Sequence, residues 1–301
     1  MTHRPIWNSI TKFCSHYQEE QANASASTTT TANSARSAAD FLLPFVDDVS
    51  TNMNLCQHPD AAYIEREFLY DETTDVDWES KHDNLYWAGS NTGGYAADES
   101  WRLFQRQRFL SLAQNRGQRA KQYSYLREEG GVAGRVQSSF LNSKLFDVSL
   151  TRIFQCKERY CREQKLAFNT RFWADKNEAL KSKLAFDVDG NGISGRWYKL
   201  LASKSTPLKQ TLIREWHDER LVPWVHYIPV SQSMEELPEL VTYLTSTEAG
   251  QQRARQVAEQ GREWYRKAFR EVDMGIYMYR LMLELARLQD PSRKADQRAR
   301  P

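Results

Sequence analysis

No run of eighteen apolar residues occurs in the 301-residue chain, so no segment of it reads as a membrane-spanning helix. A long Lys/Arg block is missing too. Forty-one basic residues stand against 39 acidic ones, a formal charge of +2, which gives no electrostatic footprint for a nucleic-acid partner. The first residues lack the charged n-region and apolar h-region of a secretory leader, and no internal repeat is present. Cysteine is scarce, at four residues. Cys156 and Cys161 form a C-x4-C pair in "FQCKERYCREQ" that no second pair complements, which speaks against structural zinc. In an oxidising compartment that pair can close a local disulfide, and Cys14 with Cys56 a second. A single "NAS" sequon at Asn23 is compatible with a luminal protein.

What the chain has in plenty is aromatic residues, 12% with nine Trp, which either fill a core or line grooves for flat and sugar-like ligands. At 40% apolar content it can bury one large core or two modest ones. Organisation along the chain is uneven. Residues 1–40 end in an Ala/Ser/Thr/Asn-rich linker, and residues 41–80 mix polar turns with Pro and read as loop and short elements. From 81 to 230 an α/β rhythm sets in: strands at "NLYWAGS", "SKLFDVSLTRIF", "KLAFDV", "STPLKQTLI" and "LVPWVHYIPV", and a helix at "ESWRLFQRQRFLSLAQ" with Trp101, Phe104, Phe109 and Leu112 on one side. Residues 231–301 are helical, in three segments with apolar residues at i, i+3, i+4 and i+7. Strands alternating with helices imply a Rossmann-type parallel sheet, whose ligands bind where strand C-termini meet helix N-termini.

Both glycine-containing loops fall at such places. In "FDVDGNGISGRWYKLLAS", Asp187, Asp189, Asn191 and Gly192 match the first half of a calcium loop. Position twelve, which must supply a bidentate carboxylate, holds Tyr198. The same stretch reads better as a strand, a turn and a helix that brings Ser194 and Arg196 to a helix N-terminus, suited to an anion. An ordinary β-turn-α junction with a capping serine and a solvated arginine fits the spacing equally. His217 beside Asp218 and Glu219 has the makings of a dyad, but a solvated polar turn accounts better for "REWHDER"; His226 and Tyr227 read as core or wall residues of an apolar strand.

The stretches "LYWAGSNTGGY", "FDVDGNGISGRWYKLLAS", "REWHDERLVPWVHYIPV" and "AEQGREWYRKAFREVDMGIYMYRLMLELARL" together resemble glycosyltransferase family 90, which includes fungal capsule-associated proteins and animal protein O-glucosyltransferases. The third is the most specific, with Glu215, Trp216, Pro223, Trp224, His226, Tyr227 and Pro229 in the family's order. Coverage runs from about Phe41 to Gln289, and the fungal branch is the most similar. The resemblance implies a GT-B-like α/β architecture, of which this chain would be mainly the C-terminal Rossmann-like half with a helical tail. It further implies transfer of xylose or glucose from a UDP-sugar to a glycan or protein hydroxyl, with inversion, without metal or other cofactor, in the Golgi or endoplasmic reticulum. Membrane association would then come only from an anchor outside this chain. The donor-binding residues it implies are Gly89, Ser90, Thr92, Ser194, Arg196, Glu215 and Trp216. The bland reading of Glu215 is a surface carboxylate.

Two departures stand out. The family's first loop reads Arg-Gly-Ser, and this chain has Ala88 before Gly89 and Ser90. The resemblance also places the catalytic aspartate in an N-terminal half that does not appear here, so no base is assigned; Asp47, Asp48 and Asp71 read as surface or capping residues. The alternative expectation is therefore a truncated or degenerate, non-catalytic member that binds UDP or a partner.

Overall fold

The computed structural model describes residues 66–115, 122–129, 132–172, 174–213 and 215–289. They fall into two compact units. The described residues from 66 to 213 and from 217 to 270 make up the larger; residues 215–216 and 271–289 belong to the smaller.

The larger unit is built on a five-stranded, all-parallel sheet in the order β4-β1-β5-β6-β7. Its strands are β1 (His82–Ser90), β4 (Phe146–Arg152), β5 (Ser182–Val188), β6 (Thr206–Gln210) and β7 (Ile228–Pro229). Every residue of β5 and β6 is buried, as expected of central parallel strands covered on both faces. In chain order the sheet strands lie 2-1-3-4-5, the doubly wound arrangement whose switch point falls between the first and third, here β1 and β5. Beneath that point Trp87 packs edge-on against Phe109, which contacts Phe186. All three are inaccessible to solvent or nearly so, and each contributes about 1.5–3 kcal/mol by burial.

Helices α1 (Gln105–Ala113), α2 (Glu158–Ala167) and α3 (Trp197–Ala202) follow strands; α4 (Leu237–Ser246) and α5 (Glu248–Ala268) complete the unit. In α4 the buried Leu237, Val241 and Leu244 recur at i, i+4 and i+7. Thr247 caps α5, its hydroxyl accepting from the Gly250 N–H. Cys156 and Cys161, at the start of α2, are joined by a disulfide; Cys14 and Cys56 lie outside the described residues, as do Asn23, Asp47 and Asp48. Asp71 is exposed and accepts from the N–H and hydroxyl of Thr73 at a short helical turn, a capping role as expected.

Three local expectations change. The helix read over "ESWRLFQRQRFLSLAQ" is split: Glu99–Leu103 is a 3-10 turn, Phe104 is extended, and α1 begins at Gln105, so Trp101 and Phe104 precede it. "LVPWVHYIPV" yields only the two-residue β7, because Pro223 and a left-handed Trp224 (φ 67°) fold the segment into a turn closed by the Trp224 N–H on the Tyr227 carbonyl, 2.7 Å. Residues Tyr123–Glu129 (β2) and Val132–Ser138 (β3) form an antiparallel hairpin that the sequence reading passes over. The hairpin's mixed charges obscure the alternation that marks a strand. In the smaller unit, α6 (Glu271–Gln289) exposes Val272, Ile276, Tyr279 and Leu283 at helical spacing, the apolar face its sequence leads one to expect. Among the described residues no helix is long and apolar enough to cross a membrane.

Candidate functional site

The loops leaving β1 and β5 meet at the switch point. Gly93 donates its N–H to Asn191 Oδ1 at 3.0 Å, tying one loop to the other. A Cβ on Gly190 would stand 2.9 Å from Thr92 Oγ1 and 3.0 Å from Arg106 Nη2, so only glycine lets the loops approach this closely. A Cβ on Gly89 would meet Trp87 at 2.8 Å and Arg196 Nη2 at 3.3 Å. Gly89, Ser90, Thr92, Ser194 and Arg196 are thus brought together in the larger unit.

Arg196 is the N-cap of α3, half-buried, and its Nη1 donates to the Ala88 carbonyl at 2.8 Å. Its guanidinium lies 5.9 Å from the Trp87 ring centroid. Desolvation lowers its pKa, and Asp187 counters this in part. Ser194 takes a different part from the expected one. Its hydroxyl donates to Asp187 Oδ1 inside the protein, so its one hydrogen is committed and the side chain holds the loop rather than facing a ligand. Ser90 and Thr92 hydroxyls lie 3.3 Å apart.

The calcium-like half-motif is spent on scaffolding. Asp187 accepts from Ser194 and pairs with Lys209 at 3.5 Å, Asp189 accepts from Thr211 Oγ1 (2.8 Å) and the Leu212 N–H (2.6 Å), and Asn191 holds Gly93. The side-chain oxygens that would have to converge on one ion serve five different partners. Burial, the dominant cause, raises the pKa of Asp189 to about 6; Lys209 and the two hydrogen bonds work against it.

Sequence reasoning missed Arg106 and Lys209. Arg106 enters from the first turn of α1 and is 7% exposed. It spans both loops, with Nη1 on the Ser90 carbonyl (2.9 Å) and Thr92 Oγ1 (2.7 Å), Nε on the Asp189 carbonyl (2.8 Å) and Nη2 on the Val188 carbonyl (3.0 Å). The available signal was spacing: Arg106, Leu110 and Ala113 fall at i, i+4 and i+7, which puts Arg106 on the buried face. For Lys209 the sequence carried little signal, since β6 reads TPLKQ, with one Leu and one Pro among polar residues. Its ammonium lies 4.2 Å from the Trp197 ring centroid.

His217 corrects the reading of a solvated turn. It is fully buried among Trp197, Tyr198 and Phe269, with Nδ1 3.3 Å from the Tyr198 hydroxyl. Burial first, then the charges of Lys209 and Arg220, drive its pKa well below the usual value, so it is neutral at pH 7. The turn closes back onto α3, and the aromatic cluster wins over the polar sequence. His226 is buried and stacks on Trp264, a core residue as expected. Glu215 and Trp216 are both buried, so the surface reading of Glu215 fails; they belong to the smaller unit, where Trp216 lies 5.0 Å from Tyr277 of α6.

The family model for glycosyl transferase family 90 matches residues 62–300, most of the chain. The chain belongs to this family. Membership places its chemistry in glycosyl transfer, with a sugar donor and an acceptor as reactants. The family-90 match spans both loops of the switch point and the segment that carries Glu215 and Trp216.

Proposed function

We propose that the chain is the nucleotide-binding part of a GT-B-type glycosyltransferase. It would transfer a sugar such as xylose or glucose from a UDP-sugar to a glycan or protein hydroxyl, with inversion and without metal. The observation that carries this reading is Arg196, a guanidinium held by a neutral carbonyl at the switch point of a doubly wound sheet. A leaving UDP gathers negative charge on its β-phosphate, and a fixed guanidinium there favours departure without a metal ion. Ser90, Thr92 and the backbone of the glycine loop supply further polar contacts; Ser194 and Asp187 hold the loop in place. Glu215 and Trp216 are proposed as donor-side residues. Catalysis would take place in the lumen of the Golgi or endoplasmic reticulum, a reading that the Cys156–Cys161 disulfide supports.

Calorimetry with UDP in chelator tests this. Saturable binding is expected, and Arg196→Ala should weaken it by about 1.5–3 kcal/mol, the scale of a charged hydrogen bond. Absence of UDP binding to the wild type, or binding that appears only with added calcium, refutes the reading. Ala88, which leaves the position before Gly89 without a guanidinium, favours a second reading as a non-catalytic UDP-binding module. Incubation with UDP-xylose and UDP-glucose separates the two: release of UDP marks an enzyme, and tight UDP binding without release marks the module.

A further inference from the structure

The charge at the switch point is larger than Arg196 alone provides. Arg106 is a buried guanidinium whose four hydrogen bonds all end on neutral oxygens, three carbonyls and one hydroxyl. Neither Arg106 nor Arg196 has a carboxylate at ion-pairing distance among the described residues. Both sit over the Trp87 ring, with guanidinium carbons 5.5 and 5.9 Å from its centroid. They also feel each other, because after burial the charge of Arg196 is the next cause that lowers the pKa of Arg106. With Lys209, three cations share the neighbourhood with two carboxylates, and Asp187 is already occupied by Ser194 and Lys209. Asp187 and Asp189 offset the two buried guanidinium groups only in part, since the pKa of Arg106 stays lowered, and an arriving anion adds to that compensation.

We propose that Arg106 is a positioning residue of the donor site. It clamps the Ser90–Thr92 and Val188–Asp189 loops together and adds a second positive charge behind Arg196 for a diphosphate. Most of its N–H groups are engaged within the protein, so it acts through the loops it holds and through its field, not through a full fork on the ligand. The inference rests on the donor-site reading above for the nature of the ligand, but the anion preference follows from the two guanidinium groups themselves.

The test compares UDP, UMP and inorganic pyrophosphate as calorimetric ligands of the whole chain, for the wild type, Arg106→Gln and Arg106→Lys. Arg106→Gln is expected to weaken UDP and pyrophosphate on the order of tenfold and UMP distinctly less, because a through-space charge scales with the charge of the ligand. Arg106→Lys should restore part of the loss, keeping charge and losing the fork. Equal UDP affinity in wild type and Arg106→Gln overturns the inference and leaves the donor site standing. So does an equal loss for UDP and UMP, which marks a purely structural role. Pyrophosphate binding that depends on Arg106, in a wild type that ignores UDP, supports the charge pair and overturns the nucleotide reading. A wild type that binds neither overturns both. If circular dichroism shows Arg106→Gln to be unfolded, Thr92→Val takes its place by removing one acceptor of the clamp. A loss of about threefold for pyrophosphate is then expected, and unchanged affinity overturns the proposal.

Discussion

Asp189 carries a prediction that follows chiefly from its burial. The residue is 3% exposed; Oδ2 accepts from Thr211 and Leu212, while Oδ1 is buried without a hydrogen-bond partner among the described residues. Its pKa rises from 3.8 to about 6 in the folded chain. The folded state therefore binds this proton more tightly than the unfolded chain does. The resulting stability is fully present below the unfolded value of 3.8 and is lost as pH rises through 6. The whole displacement corresponds to roughly 3 kcal/mol, of which roughly 1.4 kcal/mol disappears between about pH 5 and pH 8. Asp189→Asn keeps a carbonyl oxygen for the Thr211 and Leu212 donors and removes the titration. Urea unfolding of both proteins at the two pH values isolates this residue, because the other groups titrate alike in each and cancel. The wild type should lose roughly 1.4 kcal/mol relative to Asp189→Asn on going from the lower to the higher pH. Parallel pH profiles, or a wild type that gains on the variant as pH rises, would refute the reasoning.

Other expectations concern packing and the disulfide. Gly261→Ala places a Cβ 2.4 Å from the His226 carbonyl oxygen. A change that usually strengthens a helix should therefore cost about 3 kcal/mol in urea unfolding, and a gain in stability would contradict the close approach. Gly89→Ala should cost about 1–3 kcal/mol, because Trp87 has no room to retreat, and should weaken UDP binding by displacing Arg196; thermal melting and calorimetry read the two effects separately. Reducing Cys156–Cys161, which are five residues apart, should lower stability by about 2 kcal/mol by the loop-entropy argument, measurable as the shift in urea midpoint with and without reductant.

Much of the larger unit was legible before any coordinates. Buried parallel strands carry apolar stretches, so β1, β4 and β5 stand out, and the long helices announce themselves by their spacing. The hairpin Tyr123–Ser138 and the collapse of "LVPWVHYIPV" to two strand residues were not legible, for one reason: both depend on turns and pairings whose side chains carry mixed signals. The site was half legible. Gly89 and Arg196 could be singled out because glycine near a strand end and a cation before a helix have local meanings. The committed hydroxyl of Ser194 could not, since its acceptor, Asp187, is reached only once the turn has closed.

By itself the sequence determined a parallel α/β unit, its two glycine loops and the family to which it belongs, because periodicity and local backbone demands are written residue by residue. Tertiary structure decided the rest. It buried Arg106 between the loops, spent Asp187, Asp189 and Asn191 on separate scaffold partners, and sealed His217 inside an aromatic cluster. Each outcome turns on desolvation and on partners distant in the chain, and those exist only after the strands have taken the order β4-β1-β5-β6-β7.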